Sequence, residues 1–421
     1  MGKDEERERL TVTAPPPLAP AQPPPFRLSG AQLGLIASNF LMWGGFFAVI
    51  PLITVHFAGS VESGGLGWAA ASVGLVLGLR QLTQQGLTVL GGAWADRVGP
   101  KPLILAGCVL RSLGFAWMAF SGTLPVLLAS ALLAGIGGGL FDAPKNAAIT
   151  AVTQPEHRTQ MFSLASISGN LGMVTGPLIG AALLGLGFQV AALASACVYL
   201  LAAAVMGLTL PHVRPPKRPP GSGMAGLRAA ANNAPFRRFT LVLIGYFLLS
   251  TQINVAITLK AIALAGPQAT GPLYAVSAGL AVALQYPLLR LAERYLRVRT
   301  VLTLAVGAVG VALGLMALAS TFGALLLCVG LYSLGTMLVY PTQQTLTARF
   351  APAGQVGSYF GFSAISLGIG GALGSVLGGW LVDTGTSIGV PALPWVLLAA
   401  TGLVTAWGLR WALRDLAPAV R

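Results

Sequence analysis

The chain has 421 residues, of which 55% are apolar and only 9% charged, and its formal net charge is +14. A water-soluble fold of this size needs far more polar surface, so a soluble globular domain is excluded. The basic excess would suggest nucleic acid in a soluble protein; here the cations fall between apolar runs, which points to a membrane surface and away from nucleic acid.

Residues 1–30, "MGKDEERERLTVTAPPPLAPAQPPPFRLSG", are charged and then proline-rich. No apolar stretch follows the first charges, so a disordered tail is expected and not a cleaved signal. Beyond it, apolar runs of about 20 residues, the length that crosses about 30 Å of hydrocarbon, recur along the chain. The expected helical spans are 31–56, 68–92, 102–121, 124–148, 160–186, 187–211, 239–264, 271–291, 300–319, 323–347, 358–383 and 392–413. These twelve spans predict an all-α membrane protein, and the lack of short alternating segments excludes a transmembrane barrel. The longest break, 212–238, is rich in Pro, Gly and Arg and reads as a linker between two six-helix bundles, 31–211 and 239–413, with 414–421 as a second tail.

An internal repeat supports that division. Ala95-Asp96-Arg97 recurs as Ala292-Glu293-Arg294, and Pro144 and Pro155 recur as Pro341 and Pro352, each 197 residues on. Gly172, Gly176 and Gly180 recur as Gly370, Gly374 and Gly378, one residue further along. The two bundles are therefore expected to be pseudo-symmetric. With twelve crossings, nearly all Lys and Arg fall on one side, which places both tails and the linker in the cytoplasm beside anionic lipids.

The three cysteines, Cys108, Cys197 and Cys328, lie singly inside apolar runs, and His56, His157 and His212 are scattered. No disulfide framework, metal site or cofactor is expected from such spacing. No nucleophile–base set at membrane depth and no G-x-x-x-x-G-K-[ST] run is present, so neither an enzyme nor an ATP-driven pump is expected.

The stretch "LGGAWADRVGPKPL", 90–103, places Asp96, Arg97 and Lys101 in what reads as a loop between two apolar runs. Gly92-Ala93-Trp94-Ala95-Asp96-Arg97-Val98-Gly99-Pro100-Lys101 resembles the loop motif G-x-x-x-D-R-x-G-x-K of the major facilitator superfamily. The resemblance implies a gate latch between the halves, built from Gly92, Asp96, Arg97, Gly99 and Lys101. A glycine permits close helix approach, and a carboxylate is stabilised at a helix N-terminus. A plain solvated basic loop is the alternative. In "GGGLFDAPKNAA", Asp142 is expected to extend the latch by pairing with Arg97 or Lys101, or else to pair with Lys145 three residues on. In the fifth span, Gly172-x-x-x-Gly176-Pro177-x-x-Gly180 resembles the motif of the antiporter branch, with Ala181 in place of its last glycine. Ordinary small-residue packing is the competing reading.

Together "GLVLGLRQLTQQGL", "GGAWADRVGPKP", "GGGLFDAPKNAA" and "GSYFGFSAISLGIGGALG" resemble the multidrug transporters of the drug:proton antiporter group, in their MdtH-like branch, over about residues 35–410. The resemblance implies twelve helices around a central cavity and proton-driven export of small amphiphilic compounds across the bacterial inner membrane. A monomer is expected, whose partners are the small-molecule substrate, protons and membrane lipids.

Arg80 and Arg111 fall inside the second and third spans, where an unpaired cation costs several kcal/mol. Gln81, Gln84, Gln85 and backbone carbonyls can satisfy them; alternatively they hold an anionic group of the substrate, which keeps open an importer or facilitator of a small anionic metabolite. Related exporters often carry an acid in the first span, where this chain has Ser38 and Asn39, while Glu62 and Asp383 lie near the outer surface. Asp142 is the deepest carboxylate and so the expected proton-coupling group. The superfamily lines its pathway with spans one, four, seven and ten. The expected substrate contacts are therefore Asn39, Trp43, Gln252, Asn254, Tyr332, Tyr340 and Gln343, together with Arg80 and Arg111. Interhelical hydrogen bonding is the competing role of each.

Overall fold

A computed structural model describes residues 28–212, 222–352 and 355–414. The expected tails 1–30 and 414–421 fall almost wholly outside these. The described residues form fourteen α-helices: α1 (Gly30–Ile53), α2 (Ala70–Val98), α3 (Pro100–Met118), α4 (Leu124–Val152), α5 (Arg158–Leu184), α6 (Phe188–Thr209), α7 (Ser222–Asn232), α8 (Ala234–Ser250), α9 (Ala256–Ala265), α10 (Thr270–Tyr295), α11 (Val298–Leu315), α12 (Phe322–Phe350), α13 (Val356–Ser387) and α14 (Leu393–Ala412). Among the described residues, eleven helical segments are long and apolar enough to cross a membrane, with 234–265 counting as one. The expected span 68–92 is a helix, α2, but is not among the eleven: Arg80, Gln81, Gln84 and Gln85 lower its hydropathy.

Three departures from the sequence expectation have local causes. The motif expected as a loop is helical as far as Val98, because nothing breaks the helix before Gly99. Gly99 takes φ 87°, a conformation that favours glycine, and Pro100 opens α3 where a missing N–H costs nothing. The expected span 239–264 breaks at 251–255, a short tight turn between α8 and α9. Its Thr251, Gln252 and Asn254 bond to backbone or neighbouring groups in place of a regular ladder. Finally, α7 lies inside the expected linker 212–238 and packs on α13, with Ala230 fully buried.

Helices α1–α6 surround one apolar core centred on Phe57, Phe115, Phe141 and Tyr199. Helices α8–α14 hold two more, around Leu313 and Tyr332 and around Phe236 and Phe239. Glycines set the closest approaches. A Cβ on Gly172, Gly176 or Gly180 of α5 would meet Phe40 O at 2.6 Å, Gly44 O at 2.6 Å or Ala48 O at 2.1 Å on α1. A Cβ on Gly370 or Gly374 of α13 would meet Ile244 O at 2.4 Å or Leu248 O at 2.3 Å on α8, and one on Gly378 would meet Gln252 Oε1 at 2.2 Å. Each partner in the second set lies the same number of residues beyond its counterpart in the first, so the repeat read in sequence is also a repeat of contacts.

Between the two sets of helices, α2 packs along α13 and α5 along α10. Gly74 faces Ser375 O and Gly78 faces Ala372 O. Hydrogen bonds joining the sets include Thr54 Oγ1 to Asn254 O at 2.6 Å, and Ala70 N and Ala71 N to the Asp383 carboxylate at 3.0 and 2.8 Å. These three lie at the end of the molecule away from Pro211 and α7.

Candidate functional site

The α2 sequence places Arg80 and Gln84 one helical turn apart on one face. Arg80 Nη1 donates to Gln84 Oε1 at 2.7 Å and Nη2 to Gln81 Oε1 at 2.7 Å. From α3, Arg111 Nη2 reaches the same Gln84 Oε1 at 3.3 Å. The amide's other end donates from Nε2 to Asp142 Oδ2 on α4 at 3.0 Å. Gln84 is the hub of the cluster, an uncharged bridge between two guanidiniums and one carboxylate.

Aromatic rings complete the solvation of the arginines. The Phe46 ring of α1 lies 4.6 Å from the Arg80 guanidinium carbon and 4.7 Å from that of Arg111, and Tyr199 lies 5.3 Å from the latter. Both arginines are at least 95% buried, yet the Nε of each has no hydrogen-bond partner. One turn along α4 from Asp142, Lys145 Nζ donates to Asn39 Oδ1 at 2.9 Å, and Asn39 Nδ2 in turn donates to Ala165 O at 2.7 Å. Two arginines, a lysine and one carboxylate thus share this region. A small cavity among them is lined by Met42, Trp43, Phe46, Gln84, Arg111, Phe141 and Asp142, with room for water and not for a drug-sized molecule.

The structure gathers Asn39, Trp43, Arg80, Arg111 and Asp142 from the expected residues into this cluster. It does not gather the rest. Gln252 is fully buried and donates to Leu248 O and Gly374 O, each at 2.8 Å. Tyr332 donates to Leu249 O and Ser250 O, and Asn254 accepts from Tyr274. Gln252 and Tyr332 thus serve carbonyls freed at the end of α8, and Gln252 also ties the break to Gly374 O of α13. Tyr340 is half exposed, and Gln343 is buried with its Oε1 unpartnered.

The expected pairing of Asp142 with Lys101 is not what forms. Lys101 Nζ instead donates to Gly207 O at 2.8 Å and Leu210 O at 2.6 Å, satisfying carbonyls at the end of α6. Lysine there is favoured by the helix dipole. Nor does the Asp142–Lys145 pair dominate, since Lys145 turns to Asn39 and Asp142 to Gln84. The side chains of Asp96 and Arg97, and the surroundings of Gly92, lie outside the described residues. Replacing Lys101 with Met should therefore lower the melting temperature, by an amount worth about 1–2 kcal/mol. Unchanged stability with abolished transport would instead make Lys101 a gate residue only.

The sequence named Gln81 and Gln84 as partners for the arginines, and both bond them here; it gave no sign of the Gln84–Asp142 bond, of Phe46 against both guanidiniums, or of the Lys145–Asn39 bond. The four-residue spacing of Arg80 and Gln84 is the signal for their own bond.

Long apolar helices joined at glycine contacts, with a cluster of charges buried among the first of them, are those of a polytopic membrane protein. The Major Facilitator Superfamily model matches residues 33–361 and 239–421, and the chain belongs to that superfamily. It is 38% identical over 383 residues to the multidrug resistance protein MdtH of Edwardsiella ictaluri, covering 90% of this chain and 92% of that one. It is 39% identical over 378 residues to MdtH of Photorhabdus laumondii, covering 89% and 92%. Among solved structures it is similar to an auto-inhibited POT family peptide transporter, with a TM-score of 0.78 at 15% identity, covering 93% and 98% of the two chains. The POT family transporter PepTSo gives 0.78 at 14% identity, covering 93% and 99%. These last two share the fold. The protein is a multi-pass membrane transporter and not an enzyme.

Proposed function

We propose that this transporter exports small amphiphilic compounds or drugs across the bacterial inner membrane by proton antiport, alternating access between two pseudo-symmetric six-helix bundles of twelve spans in all. The relatives named for multidrug resistance support the substrate class. The observation that carries the reading is the small aromatic-walled cavity over Gln84, Arg111 and Asp142, where ligand groups can exchange with buried polar ones. Trp43 and Phe46 offer ring faces, while the unpartnered Nε atoms of Arg80 and Arg111 offer donors to an anionic or carbonyl group.

Parting of the bundles enlarges this space to the size of a substrate. Asp142 is the carboxylate through which proton movement is coupled, and Gly92, Asp96, Arg97, Gly99 and Lys101 form the gate at the linker end. Gly172, Gly176, Pro177 and Gly180 hold α5 on α1 as the bundle moves. Both termini and the linker face the cytoplasm, the protein acts as a monomer, and its basic residues rest against lipid headgroups. The test uses energised everted vesicles with a preformed pH gradient. A transported compound should collapse that gradient in vesicles carrying the protein and not in vesicles without it. The buried arginines favour one rival, an importer of a small anionic metabolite; substrate accumulation in intact cells without gradient collapse would establish it instead.

A further inference from the structure

We propose that Asp383 is the latch that closes the transport path at the end away from the linker, and that it must release the N-terminus of α2 in each cycle. The inference rests on the alternating-access reading above and adds a residue to it. The first N–H groups of any helix lack partners within the helix. On α2 the capping position is Ala69, which offers no side-chain hydrogen bond, and the first turn holds no acid. The cap comes instead from the other half of the molecule. One Asp383 oxygen accepts from Ala70 N at 3.0 Å and the other from Ala71 N at 2.8 Å. Such bonds are charge-assisted and aligned with the α2 dipole.

Asp383 also has reason to reach outward. It stands one turn from the C-terminus of its own helix, α13, where a negative charge is disfavoured by that helix's dipole. Its best stabilisation is a neighbour's N-terminus. The surrounding surfaces can separate without unlocking large side chains, because they meet at glycines. A Cβ on Gly379 would lie 2.1 Å from Ala70 O, and one on Gly74 would lie 2.2 Å from Ser375 O. Asp96 holds the corresponding place near the C-terminus of α2, at the opposite end of the same helix pair. The pair α2 and α13 therefore carries one carboxylate towards the C-terminus of each helix, one for each end of the path. The far one is engaged in this conformation.

The test compares the full chain with Asp383→Asn, which keeps the side-chain shape, and Ala70→Pro, which removes one receiving N–H at a helix position that tolerates proline. Spin labels on Val61 and Ile388, 73% and 58% exposed, report the far end; labels on Glu156 and Tyr295 report the linker end. Cys108, Cys197 and Cys328 are replaced in every variant. Both substitutions should raise the ratio of long to short far-end distances at least tenfold and slow transport. A wild-type far-end distribution in both variants overturns the latch, including the case in which they only melt at lower temperature, for then Asp383 is a static cap. If the two ends of the parent protein never exchange short for long distances under any substrate or pH gradient, alternating access itself fails, a result read without either variant.

Discussion

Replacing Gly180 with valine is expected to abolish the folded protein. The glycine lies where α5 crosses α1, and a Cβ there would stand 2.1 Å from Ala48 O and 2.9 Å from Ala48 C. The obstacle is backbone, so relief requires the two helices to move apart. That separation also opens the contacts of Gly176 with Gly44 O and of Gly172 with Phe40 O. Overpacking of a close-packed interior costs about 1–3 kcal/mol, and more where backbone blocks the adjustment; valine here should exceed that range. Monodisperse yield in detergent and the melting temperature measure it. Gly185→Ala is the control: the nearest atom is Ala182 O at 3.9 Å, so that variant should match the parent. A well-folded Gly180→Val protein would mean that the α1–α5 contact is looser than described.

Gln84→Leu should have the second largest effect. Leucine approximates the volume of glutamine and removes all three hydrogen bonds of the hub: those from Arg80 Nη1 at 2.7 Å and Arg111 Nη2 at 3.3 Å, and the one to Asp142 Oδ2 at 3.0 Å. The groups left behind are charged and buried or half-buried, and both Nε atoms already lack partners. Each charged group left without its bond costs about 1–3 kcal/mol, so a total near 3–5 kcal/mol is expected, together with loss of transport. Gln84→Glu is informative beside it. It keeps acceptors for both arginines while placing a second carboxylate beside Asp142. It should fold nearly as well as the parent and transport differently. A stable, fully active Gln84→Leu protein would remove the hub from the account.

The sequence carried the helices well because their signal is simple: an apolar run that ends at glycine, proline or charge. It also marked the Gly172 and Gly370 series as faces of close helix packing, but not which helices they meet, α1 and α8. The misses are of one physical kind. The break at 251–255 depends on Gln252 finding Leu248 O and Gly374 O, a partner 122 residues away that no local pattern reveals. Lys101 is likewise settled by the end of α6, 106 residues along the chain. Asp383 looked like one more surface charge until α2 arrived beside it. For polar side chains in an apolar chain, the local sequence says that a partner must exist, and only the tertiary arrangement says which.

In the proposed cycle, transported compounds bind at the cluster under Trp43 and Phe46. Equilibrium binding of an exported fluorescent compound to purified protein, compared with Arg111→Gln, tests it most directly. Affinity should be at least tenfold weaker, about 1.4 kcal/mol, with a melting temperature close to that of the parent. Unchanged affinity in a correctly folded Arg111→Gln protein would contradict it.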